Sequence, residues 1–116
     1  MSCQQFVAES FAVRTAAHVA HLLEGSYARH KALDEFYSAL VDLVDRYAEV
    51  AMGEDGRFKS IPAAAVPTGD IVGVLEEYHS VVRDEIAEDE GPAKVNVLTD
   101  IEELTLRTLY KLKNLK

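Results

Sequence analysis

Between Leu33 and Ala51 the apolar residues fall at Leu33, Phe36, Tyr37, Leu40, Val44, Tyr47, Ala48 and Ala51. This spacing of three and four residues leaves few ways to fold. Successive side chains of a strand point to opposite faces, so a sheet would expose half of this set. A helix of 3.6 residues per turn gathers all of it onto one stripe. The segment from about Tyr27 to Met52 is therefore predicted to be an amphipathic helix.

Three other segments read the same way. One runs from about Gln4 to Glu24 and is rich in Ala, Val and Leu. A third follows Asp70, a suitable N-cap, with Ile71, Val74, Leu75, Tyr78, Val81, Val82 and Ile86 as its stripe. The last follows Pro92, with Leu98, Ile101, Leu104, Leu109, Leu112 and Leu115. Lysines in its final turns suit the negative end of the helix dipole. The breaks lie at Gly25-Ser26, at Gly53 to Gly69 and at Gly91-Pro92. No segment alternates with period two. The expected fold is all-α, one four-helix bundle domain over residues 1–116, built as two helical hairpins joined by the longer middle connection. That connection exceeds the usual length for a bundle, and a short helix is expected within it around Pro62 to Ala65.

Composition narrows the function. Hydrophobic residues make up 48% and charged residues 28% of 116 residues, ordinary for one globular domain. The single cysteine, Cys3, excludes an internal disulfide framework. No apolar stretch approaches the ~20 residues of a membrane span, and no basic stretch followed by an apolar run marks a signal peptide. A cytoplasmic protein is expected. The net charge of −8 repels DNA phosphates, so DNA binding is expected to be weak. The small basic patch of Lys111, Lys113 and Lys116 also serves the helix dipole.

The informative polar residues lie beside the second stripe. At 100° per residue, His30, Asp34, Asp45 and Glu49 share one strip of that helix. One imidazole and three carboxylates are donors that suit Fe(II), Mn(II) or Zn(II). From His30 to Glu49 the helix rises ~28 Å, so one helix cannot bring both ends to one ion. Two antiparallel copies meeting at a two-fold axis can. Carboxylates on a helix flank are more often a solvated face than a site. His18 and His21, three apart on the first segment, add weak metal-binding potential. Glu76-Glu77-Tyr78-His79 holds one Glu-x-x-His, but no second exists, so a di-iron site inside the bundle is not expected. Glu76 and His79 read as surface residues.

These residues carry a resemblance. The series His18-x11-His30-x3-Asp34-x10-Asp45-x3-Glu49 is similar, spacing by spacing, to the ferroxidase pattern of the Dps proteins, ferritin-like bundles that assemble into hollow dodecamers. The stretch ARHKALDEFYSALVDLVDRYAEVAMG resembles the second Dps helix, and NVLTDIEELTLRTLYKLKNL the last, with Tyr110 where Trp is common. The likeness covers residues 15–53 and, more loosely, 96–115. It implies that His18, His30 and Asp34 of one subunit and Asp45 and Glu49 of its partner bind Fe(II) for oxidation by peroxide or oxygen. It implies a homo-oligomer, at least a dimer and up to a dodecamer, with an acidic interior for ferric mineral. The same donors suit zinc or manganese. The alternative is a non-catalytic helical oligomer, a phage accessory or scaffold protein, whose polar strip is a dimer interface held by salt bridges.

Overall fold

A computed structural model describes residues 1–89 and 91–116 and places four α-helices among them: α1 (Cys3–Leu23), α2 (Tyr27–Asp55), α3 (Ile71–Glu88) and α4 (Pro92–Asn114). Their starts follow from local chemistry. Ser2 caps α1 reciprocally: its hydroxyl accepts from Gln5 N at 3.1 Å and its N–H donates to Gln5 Oε1 at 2.9 Å. Ser26 caps α2 by accepting from Arg29 N. Pro92 begins α4, where its missing N–H costs nothing.

The middle break differs from the expectation in two ways. Helix α2 runs on through Gly53 and stops at Gly56, whose φ of 93° suits a residue without Cβ. No helix forms around Pro62 to Ala65. Pro62 and Pro67 bias Ile61 and Val66 away from helical backbone, and the residues between are too few to close an α-helical ladder.

Ion pairs fix the helix directions. Lys94 Nζ lies 3.5 Å from Glu54, 3.9 Å from Asp55 and 3.5 Å from Asp89. The ends of α2 and α3 and the start of α4 therefore meet at one end of the bundle. At the other end Arg29 donates to the Leu112 carbonyl at 2.9 Å, and Lys113 Nζ sits 3.7 Å from Glu76. The helices follow one another around the bundle as α1, α2, α4, α3. Helices α2 and α3 thus run the same way, and residues 56–70 return along the bundle between them. This crossover lies over the α1–α3 seam. Pro62 to Ala65 face Ala8 and Ala12, and Val66 to Gly69 face Val19 and Leu23. An apolar cleft of about 410 Å³ remains beneath it.

All four helices feed one core. Phe6 sits at its aromatic centre, edge-on to Tyr47 at 4.9 Å and stacked near Tyr78 at 6.2 Å. The expected stripes of α2 and α3 are buried or half-buried. Leu115 is an exception: it is exposed beyond the last helical turn. Thr105 and Thr108 are buried where no apolar pattern points to them, because each hydroxyl donates to a carbonyl of its own helix, Ile101 at 2.8 Å and Leu104 at 2.9 Å.

Two buried phenols predict opposite responses. Tyr78 Oη and Ser10 Oγ share a 2.7 Å hydrogen bond joining α3 to α1. Among the described residues, the buried Tyr47 Oη has no hydrogen-bond partner within bonding geometry, with the Cys3 thiol its polar neighbour. Burial raises its pKa first, with the Cys3 thiol, Glu85 and Asp89 adding to the effect. Tyr78→Phe should cost about 1–2 kcal/mol by orphaning Ser10, whereas Tyr47→Phe should be neutral or stabilising by about 1 kcal/mol. Urea unfolding of the two variants checks both signs.

Glu85 is also buried, 3.8 Å from the terminal amine of Met1. Burial raises its pKa above the ordinary 4.5, and the amine only partly offsets this. The contribution of Glu85 to stability is then fully present below the unfolded value and lost as pH rises through the folded one. Glu85→Gln should melt higher than wild type at pH 7, and the gap should close towards pH 4. A gap that widens on acidification would contradict the sign.

Candidate functional site

Helices α1 and α2 form a tight antiparallel hairpin about Gly25-Ser26. It carries His18, His30 and Asp34, the first three residues of the series expected to bind metal. His18 stacks flat on Tyr37, with centroids 4.3 Å apart at 14°. The nearby Asp34 carboxylate, ahead of burial, raises the pKa of the Tyr37 phenol. Tyr37 thus stacks on His18 and has Asp34 as a neighbour.

His30 is held by His21. Their rings stack at 3.6 Å, and each Nδ1 lies 2.7 Å from the other residue's main-chain carbonyl. A carbonyl oxygen only accepts, so both Nδ1 atoms carry protons in the neutral rings. Each Nε2 is left with its lone pair. A ligand imidazole usually has this arrangement, with its far N–H tied to a carbonyl and its other nitrogen free. His21 also meets Tyr37 edge-on at 5.5 Å and lies 6.1 Å from His18. The four rings form one continuous cluster.

Asp45 and Glu49 lie elsewhere. Both are exposed on α2, and Asp45 is ~22 Å along the helix axis from His30. Among the described residues, no group of three or more His, Cys, Asp or Glu side chains stands close enough to hold an ion. One chain therefore places His18 and His30 in one ring cluster, through Tyr37 and His21, and leaves Asp45 and Glu49 at a distance. Phe11, Leu22 and Tyr27 are exposed on the same hairpin. A monomer leaves such apolar surface unpaired.

The remaining candidates have local partners. His79 Nε2 is 3.0 Å from Glu102, which also takes Arg83 at 3.2 Å, so His79 is half-buried rather than a free surface residue. Lys111 and Lys113 pair with Glu35 and Glu76, which neutralises much of the basic patch. Among the described residues, no helix is long and apolar enough to cross a membrane. The role of His21 was not legible from spacing within one helix. The signal lay across the turn: His21 is four residues before Gly25 and His30 four after Ser26. Positions equidistant from the turn of an antiparallel hairpin face each other.

Comparison with known proteins adds a family without an assigned role. The family model described as a family of unknown function, DUF5856, matches residues 21–112. That span includes His21, His30, Asp34, Asp45 and Glu49. A relative from Enterobacteria phage T4, named "Uncharacterized 14.6 kDa protein in mobD-ri intergenic region", is 35% identical over 101 residues, covering 82% of this chain and 75% of that protein. No solved structure matches.

Proposed function

This chain belongs to DUF5856, a family of unknown function, and from that premise we propose that it is a Dps-like iron-binding ferroxidase with its site at a two-fold interface. Two copies meet through the outer faces of α1 and α2. His18, His30 and Asp34 of one copy face Asp45 and Glu49 of the other, so each dimer has two equivalent sites. Fe(II) is the substrate. In the peroxide reaction, two ferrous ions each give one electron to one peroxide, its O–O bond breaks, and hydrolysis of the ferric ions releases protons. The imidazoles and carboxylates bind Fe(II) and favour the more highly charged ferric product. The acidic chain then attracts further cations. Zn(II) or Mn(II) would occupy the same donors.

The observation that carries this reading is the fixed tautomer of His30. Its Nδ1 is tied to the His21 carbonyl at 2.7 Å, which leaves the lone pair of Nε2 free for an ion. A second reading, a non-catalytic oligomer, is favoured by the stacking of His18 on Tyr37. That stacking gives the imidazole a packing role without any ion.

Subunit mixing separates the two. Fe(II) and peroxide should give a ferric absorbance with wild type, and none above background with His30→Ala or Asp45→Ala alone. If the ligands come from two chains, dissociating and reassembling the two variants together restores about a quarter of the sites, since half of the dimers are mixed and each has one intact site. Equal rates in wild type and both variants would sink the ferroxidase reading. Loss without restoration would place the ligands within one chain. Light scattering then distinguishes a dimer from a dodecamer of 12.8 kDa chains.

A further inference from the structure

We infer that His21, which has no place in the ligand series, is the positioning residue that keeps His30 ready to bind the ion. The inference rests on the proposed iron site. Of the three ligands proposed for one chain, His18 is held by stacking on the Tyr37 ring, and Asp34 lies near that phenol. His30 is held by His21 through stacking and hydrogen bonds. The His21 ring covers one face of His30 at 3.6 Å, its Nδ1–H holds the His30 carbonyl, and its own carbonyl takes the His30 Nδ1–H.

These contacts do three things. The Nδ1–H bond selects the tautomer with its lone pair on Nε2. Stacking removes most of the ring's rotational freedom, which would otherwise have to be lost when the ion binds. The second Nδ1–H bond ties the first turn of α2 to the last turns of α1, so the backbone under His30 cannot drift from His18. His21 also touches Tyr37 and lies near His18, which couples the two halves of the frame. A residue of this kind typically changes metal affinity by ~10–100-fold when it is lost.

Two measurements on the full-length chain test the inference. The first is titration with Co(II) alone, read by its visible absorption, for wild type, His30→Ala, His21→Ala and His21→Asn. Wild type should bind and His30→Ala should not. His21→Ala should bind ~10–100-fold more weakly. His21→Asn should recover part of the loss, because the Asn amide can donate to the His30 carbonyl from nearly the place of Nδ1 but cannot replace the stacking. The second is the ¹⁵N spectrum of the imidazoles without metal. It should show Nδ1–H for His21 and His30 in wild type, and still Nδ1–H for His30 in His21→Ala, because the carbonyl that accepts this proton belongs to the main chain of residue 21. Wild-type affinity in His21→Ala, or Nε2–H on His30 in wild type, overturns the role of His21 while the metal site stands. Failure of wild type to bind Co(II) at all overturns the site itself, and this inference with it.

Discussion

Deleting residues 58–67 should abolish the native bundle rather than merely weaken it. The crossover occupies residues 56–70, between the end of α2 at Asp55 and the start of α3 at Ile71. The Lys94 ion pairs hold the end of α2 beside the end of α3, so the crossover must climb the full length of α3. Eighteen residues of helix rise ~27 Å. After the deletion, the chain from Asp55 to Ile71 spans at most ~20 Å when fully extended. Helix α3 cannot then begin where it does. The two hairpins must re-pair in another order or exchange between molecules, as shortened hinges allow. The expected result is a loss of near-ultraviolet circular dichroism and of cooperative melting, with much of the far-ultraviolet helical signal kept. A variant that melts cooperatively within a few degrees of wild type would contradict the traverse.

Phe6→Ala should lower the unfolding free energy by about 3–5 kcal/mol. Phe6 is fully buried and is the one ring in contact with both Tyr47 and Tyr78, so it joins α1 to α2 and to α3. Its removal loses the transfer free energy of the ring and two aromatic contacts, and it leaves a cavity between residues from three helices. Tyr47 and Tyr78 cannot close that space, because Tyr78 is tied to Ser10 by its hydroxyl. Domains of this size are stable by only about 5–15 kcal/mol, so the loss is a large share of the whole. The midpoint in urea should fall with little change in slope. By contrast, Phe11→Ala, on the exposed outer face of α1, should cost less than 1 kcal/mol in the monomer. If Phe11→Ala proves as costly as Phe6→Ala, the assignment of the two faces of α1 is wrong.

The candidate site was legible in part. His30, Asp34, Asp45 and Glu49 follow from spacing, since a helix places residues at fixed angles and rises, and His18 joins them through the resemblance. Spacing also separates Asp45 and Glu49 from the imidazoles, and the structure keeps them apart. The supports were not legible. Tyr37 reads as a core residue in the sequence because it lies on the apolar stripe, yet it is only half-buried and stacks on His18. His21 looked like the weak half of a His-x-x-His pair with His18. Its partner is His30, on the other helix of the hairpin.

The repeating three-and-four spacing determined four helices and most of their buried faces, because burial of an apolar stripe depends on residues a few positions apart. Ser2, Ser26, Gly56 and Pro92 set their ends through bonds and backbone preferences that are equally local. The sequence alone could not say that α2 and α3 run in the same direction. A fifteen-residue connection allows either a loose return or a full traverse, and the choice depends on which helix faces fit together. Only the packed structure supplies those contacts. The long break that first looked excessive for a bundle is the length needed to cross one. Likewise, the cluster of His18, His21, His30 and Tyr37 exists only when the hairpin closes, since stacking rings and reciprocal carbonyl bonds depend on residues brought together across a turn.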